Sequence, residues 1–276
     1  MEFKYFSRNG EILPIEKAAV PLSSIEYAYG FGVYESIRVS NGVLYFVGDH
    51  IGRLMESARI IGLAHTFSVE MIAKAITEVL EKNAAASCNV KILLVGGRTP
   101  EDASLDILCL NPLFPDKKLY RDGVQTITYE YERAFPHAKT LNMLQSYLAY
   151  RKAKEASAYD ALLVDAQGRI REGTRTNFLC IKDKSLFSPK EEDILLGVTR
   201  KLVLKVAAEK GYELIHKDIR FTDLHGYDGA FLTSTSSKIL PIRTVDDFHF
   251  GKPADALEEL VSAFDVFLRE CGGKCN

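Results

Sequence analysis

Along Val33–Val39 apolar and polar positions alternate: Val33, Ile37 and Val39 share one face with Glu35, and Tyr34, Ser36 and Arg38 share the other. That period of two predicts a half-buried strand. Residues 3–14 and 42–47 read as further strands around Asn9-Gly10 and Asn41-Gly42, and the second turn predicts a hairpin with Val33–Val39. The period then lengthens. His50–Gly62 carries Ile51, Leu54, Met55, Ala58 and Ile61 near helical spacing, and Ser68–Asn83 carries Met71, Ile72, Ile76, Val79 and Leu80. Both segments are expected as helices whose apolar faces cover the sheet. Strands follow at Val90–Val95 and Leu105–Asn111, and the segment from Pro112 to Lys118 reads as a linker because its prolines stop pairing and charge follows.

The remainder predicts a strand Val124–Tyr131, a loop through Phe135-Pro136-His137 and a helix from about Leu141 to Ala156. Strands Asp160–Asp165, Ile170–Glu172 and Asn177–Ile181 come next, then a helix Thr199–Lys210 ending at Gly211, a strand Ala230–Thr235 and an amphipathic helix Ala254–Glu270. A chain of 276 residues exceeds the usual size of one core, so two domains are expected, residues 1–115 and 120–276.

Composition narrows the partners. Apolar residues make up 47% and the net charge is −2, without the basic excess of a nucleic-acid binder. Met1–Phe6 lacks the apolar run of a signal peptide and no stretch reaches the roughly 18–20 apolar residues of a membrane span, so a cytoplasmic protein is expected. The cysteines Cys88, Cys109, Cys180, Cys271 and Cys275 are odd in number and scattered, which suits reduced thiols. Cys271 and Cys275 lack a second ligand pair, so no metal site is expected and the C-terminus reads as a frayed tail.

Several residues could carry chemistry, though each has an ordinary structural explanation when taken singly. Lys139 reads as lying just ahead of a helix, where the positive end of the dipole favours the neutral amine that attacks an aldehyde; taken alone it is a loop lysine. Arg53 stands on a packing helix, as a phosphate ligand or an ion-pair partner. Leu196-Gly197-Val198-Thr199-Arg200 combines a glycine with a helix start, either an anion cradle or a plain turn. The run Thr233–Ser237 ends a strand in hydroxyls, and Glu172 follows another strand at a cleft edge or a hairpin.

In order along the chain, these pieces resemble the class IV pyridoxal-phosphate enzymes, which include branched-chain aminotransferases, D-amino-acid aminotransferases and aminodeoxychorismate lyases. The blocks are Tyr29-Gly30-Phe31-Gly32-Val33-Tyr34-Glu35, His50-x-x-Arg53-Leu54, Lys139-Thr-Leu-Asn142, Glu172-Gly173-x-x-x-Asn177, Leu196–Arg200 and Thr235-x-x-x-Ile239-x-Pro241. The resemblance implies a two-domain α+β fold, with an N-terminal α/β sandwich and a C-terminal barrel-like α/β domain. It implies pyridoxal 5′-phosphate held as a Schiff base by Lys139, with Arg53, Val198, Thr199 and Thr235 at its phosphate, Glu172 at its ring nitrogen, and Asn177 and Leu195 beside it. It further implies a homodimer acting on an amino acid and a 2-oxo acid, by family analogy 2-oxoglutarate.

Tyr29, Tyr34, Ser36, Arg38 and Arg98 are the substrate-facing candidates. Arg38 is similar to the branched-chain enzymes and Tyr34 to the D-amino-acid enzymes; Arg38 or Arg98 could pair with a carboxylate. Three positions depart from the family pattern: Phe31 replaces a usual aspartate, Lys238 a common acidic residue, and Lys91–Val95 lacks a tyrosine-x-arginine pair. A branched-chain donor is expected first, with a D-amino acid, a lyase, and a non-catalytic binding protein on the same fold as alternatives.

Overall fold

The computed structural model describes residues 2–112 and 114–271. The expected C-terminal tail with Cys275 lies outside them. The described residues form two compact units: residues up to 112 with His137–Met143, and Phe114–Pro136 with Leu144–Cys271.

The first unit contains β1 (Tyr5–Arg8), β2 (Glu11–Pro14), α1 (Ile25–Ala28), β3 (Gly32–Ser40), β4 (Val43–Leu44), α2 (Val47–Ile60), α3 (Val69–Lys82), β5 (Cys88–Val95) and β6 (Ser104–Leu110). Its six-stranded sheet runs β2-β1-β6-β5-β3-β4, every pair antiparallel. The Asn9-Gly10 and Asn41-Gly42 dipeptides turn the two hairpins, all four residues having positive φ, the conformation that two-residue hairpin loops require. The second hairpin is shorter than expected, because α2 begins at Val47.

One sheet face carries Val33, Ile37, Val90, Ile92 and Ile107 into a core closed by Ile51, Leu54 and Ala58 of α2 and Ile72, Ala75, Ile76 and Val79 of α3. Each such side chain contributes about 1.5–3 kcal/mol on burial. Ser68 caps α3 by accepting a hydrogen bond from Met71 N. Met71 itself, expected on the packing face, is exposed.

The second unit contains α4 (Lys117–Asp122), β7 (Val124–Glu130), α5 (Leu144–Glu155), β8 (Asp160–Val164), β9 (Ile170–Gly173), β10 (Asn177–Lys182), β11 (Ser185–Ser188), α6 (Val198–Glu209), β12 (Glu213–His216), β13 (Gly229–Ser234), β14 (Lys238–Val245), β15 (Phe248–His249) and α7 (Asp255–Cys271). The ladder β10-β13-β14-β7-β8-β9 returns to β10 through the pair Glu172↔Asn177, which closes six strands into a barrel. Its interior is packed with Val124, Leu162, Ile170, Phe178, Cys180, Leu232, Leu240 and Ile242. Register alternation therefore turns Asn177 and Thr233 outward, together with Leu179, Ile181 and Phe231.

Several of these elements escape the sequence pattern. β14 contains Pro241, a residue that argues against a central strand, yet Pro241 stands opposite Phe231 and the register shifts just beyond it, between Ile242 and Thr244. Lys238 at the start of β14 has positive φ and pairs with Asp265 of α7 at 2.6 Å. This departure from the family pattern is satisfied within its own unit.

Candidate functional site

Lys139 lies in an extended segment, and the helix expected from Leu141 begins at Leu144. The reason is where the backbone hydrogen bonds go. Lys139 O accepts from Tyr34 N at 2.9 Å and Leu141 N donates to Gly32 O at 2.8 Å, while Thr140 bridges to Val33. Residues 139–141 thus extend the ladder beside β3, and the helix-dipole argument for Lys139 is replaced by strand pairing. On the other side, Lys139 N donates to Ser57 Oγ of α2 at 3.1 Å. Gly32 permits this approach, since a Cβ there would stand 2.7 Å from Leu141 Cδ1 and 2.8 Å from Leu94 O. With its backbone fixed, Lys139 places Nζ 4.6 Å from the Tyr34 ring centroid, within the range of a cation–π contact.

Arg53 points from α2 to the sheet, where Nε and Nη2 donate to the two carboxylate oxygens of Glu35 at 2.6 and 3.0 Å. His50 Nδ1 lies 2.8 Å from Glu35 Oε2. Glu35 is fully buried on the apolar face of β3. Burial alone would push its carboxyl up, but Arg53 and His50 outweigh it and hold the pKa at about 2. Glu35 and His50 entered the sequence reading as members of the Tyr29–Glu35 and His50–Leu54 blocks, with no role assigned to either.

The substrate-facing candidates are spread along this unit. Tyr34 is buried, Ser36 and Arg38 are half-buried on the same face of β3, and Tyr29 is 81% exposed after α1. Arg98 is exposed in the loop beyond β5. Phe31 lies over Gly96, where an added Cβ would fall 2.3 Å from its ring.

In the second unit Glu172 sits at the barrel closure, buried. Its Oε2 accepts from Leu195 N at 3.1 Å, with Asn177 Nδ2 at 3.5 Å, while Asn177 Nδ2 also donates to Leu195 O at 2.7 Å. Leu195 therefore holds the carboxylate through its backbone. Arg133 Nε stands 3.0 Å from Glu172 Oε1 as an ion-pair partner, a neighbour that nothing in the sequence pattern marks. Gly197, Val198 and Thr199 form the start of α6; Gly197 is the N-cap and supplies no side-chain cap. A Cβ at Gly197 would lie 2.1 Å from Asn177 Oδ1, so the turn is pressed against the Glu172–Asn177 cluster. Thr235 is half-buried in the β13–β14 turn. Thr233 Oγ1, opposite Asn177, is buried with no hydrogen-bond partner among the described residues.

Taken unit by unit, the donors fit the groups of a phosphorylated pyridine aldehyde: in the first unit Lys139 would offer an amine to the aldehyde, and in the second Glu172 would offer a carboxylate whose direction is fixed by neighbouring donors and the start of α6 would offer N–H groups without a side-chain cap.

Residues 32–245 match the family model described as amino-transferase class IV. The D-alanine aminotransferase of Bacillus licheniformis is 31% identical over 255 residues, covering 89% of this chain and 90% of that one. A putative branched-chain-amino-acid aminotransferase of Methanocaldococcus jannaschii is also 31% identical, covering 86% of each. Among solved structures, the branched-chain amino acid aminotransferase of Escherichia coli superimposes with a TM-score of 0.89 at 26% identity, over 96% of this chain and 94% of that one.

Proposed function

Since this chain belongs to the class IV aminotransferase family, we propose that it uses pyridoxal 5′-phosphate to move the amino group of a branched-chain amino acid to 2-oxoglutarate, with Lys139 as its catalytic amine. The observation that carries the proposal is the pinning of Lys139, whose backbone N–H and C=O are both engaged and whose Nζ stands beside the Tyr34 ring. A lysine fixed in this way directs its amine to one place.

When bound, pyridoxal phosphate supplies an aldehyde for an amine and a ring that accepts the electron pair left at Cα. Lys139 would carry that aldehyde and, once released by the incoming amino acid, move the proton at Cα. Glu172 would hold a proton at the ring nitrogen; Leu195 N–H and the Asn177 amide orient its carboxylate. Arg53, the Val198–Thr199 turn and Thr235 would hold the phosphate through one guanidinium charge, helix-start N–H groups and a hydroxyl. Tyr34, Ser36 and Arg38 would line the substrate side, with Tyr29 and Arg98 as further contacts. The protein would act as a cytoplasmic homodimer, for which Leu22, Ile25 and Tyr27 are exposed apolar side chains open to self-association.

A second reading, transfer from a D-amino acid, is supported by the 31% identity to a D-alanine aminotransferase. Turnover with L-leucine, L-glutamate and D-alanine as separate donors, with 2-oxoglutarate or pyruvate as acceptor, tests both. The proposal expects L-leucine with 2-oxoglutarate to give the highest kcat/KM; D-alanine as the preferred donor would replace it with the second reading. Release of pyruvate from aminodeoxychorismate without an acceptor would support a lyase instead.

A further inference from the structure

Lys91 is absent from the roles assigned above, yet it reaches the same Tyr34 ring as the central amine. It lies on β5 directly opposite Ser36 of β3, so its side chain leaves the sheet on the face that carries Tyr34, Ser36 and Arg38. Lys91 Nζ is 3.5 Å from the Tyr34 ring centroid, and Lys139 Nζ is 4.6 Å from the same point. One buried tyrosine ring thus gathers both ammonium groups.

The arginines on this side of the chain are placed differently. Arg38 is four residues beyond Tyr34 on β3, about 13 Å along an extended strand, and Arg98 is exposed past the end of β5. Of the cations on β3 and β5, Lys91 is the one that shares the Tyr34 ring with Lys139. An amine that must meet the Cα of an amino or 2-oxo acid also needs the acid group held at a fixed nearby point.

We propose that Lys91 anchors a carboxylate of the substrate, holding the molecule over the Tyr34 ring within reach of Lys139. The inference rests on the reading of Lys139 as the reacting amine. It names a carboxylate anchor at a strand position where the sequence offered none.

The test uses 4-methylpentanoate and glutarate, carboxylates with neither an amino nor an oxo group. Each is titrated calorimetrically into the holoenzyme and into its Lys91→Met and Lys91→Arg variants, after the visible absorbance of each protein is recorded. Loss of a charge-assisted contact should weaken binding about tenfold or more in Lys91→Met, while Lys91→Arg stays within about threefold. The KM of the amino donor should rise in Lys91→Met by a similar factor, with a smaller change in kcat. Weakening of both probes assigns Lys91 to the α-carboxylate; weakening of glutarate alone assigns it to a side-chain carboxylate. Unchanged affinities in Lys91→Met, a parent that binds neither probe, or a loss confined to Arg38→Met would overturn the proposal. Should Lys91→Met fail to fold, Lys91→Gln carries the same expectation. A parent with no cofactor absorbance but Lys91-dependent probe binding would sink the cofactor reading and leave the anchor standing.

Discussion

Glu35 occupies a position in β3 where the alternation asks for an apolar side chain, and it is tolerated there because Arg53 and His50 of α2 reach its carboxylate. Removing one member of a buried ion pair leaves the other uncompensated, at a cost of about 3–5 kcal/mol. Glu35→Gln should therefore lower the free energy of urea unfolding by at least about 3 kcal/mol; an unchanged midpoint and slope would show that Arg53 does not depend on it. The same contact has a pH signature. Its folded pKa of about 2 lies below the ordinary 4.5, so its stabilisation is complete above that ordinary value and fades as pH falls toward 2. At about 1.4 kcal/mol per unit this amounts to roughly 3 kcal/mol. Urea unfolding followed from roughly pH 5 to pH 3 should show a decline in the parent that is smaller in Glu35→Gln. The sequence displayed Glu35, His50 and Arg53 as polar residues in apolar surroundings, but only the register of β3 against α2 makes them one cluster. Lys91 was harder to see, because a lysine in a strand is ordinary until its neighbour across the ladder is known.

At the scale of elements, local period identified α2, α3, α6 and α7 and the long antiparallel strands, each of which buries one clear face. It failed where long-range pairing overrides local preference. Residues 139–141 bond to β3, so α5 starts at Leu144 and not near Leu141, and β14 keeps Pro241 in a closed barrel. The strands β11 and β12, four residues each, are too short to show a period. The closure of β9 on β10 brings Glu172 and Asn177 together, a contact that their order in sequence suggests and only the ladder provides. Gly197 completes this arrangement by leaving room for Asn177 Oδ1. Gly197→Ala should force the buried amide aside, weaken its bond to Leu195 O, and destabilise the protein by about 1–3 kcal/mol. Thermal unfolding of the variant checks this; a melting temperature equal to the parent's would mean that the amide relocates without loss.

For the molecule as a whole, the helix-covered antiparallel sheet and the six-stranded barrel agree with the α+β class IV fold implied by the sequence blocks. The substrate is less legible, since discrimination between similar apolar side chains rests on only about 1–3 kcal/mol of pocket shape. Assembly makes a separate prediction. Leu22 and Ile25 are exposed apolar residues of the first unit, and their replacement together by aspartate should shift a dimer to monomer in light scattering; a parent already monomeric at micromolar concentration would remove the homodimer from the account. The central claim concerns Lys139, and the most direct measurement is a visible absorption spectrum of the protein supplied with pyridoxal phosphate, recorded beside that of Lys139→Ala before and after adding L-leucine. The account predicts a band in the parent that responds to the amino acid, no such response in Lys139→Ala, and turnover reduced by at least about a thousandfold. Matching spectra and comparable turnover in the two proteins would contradict it.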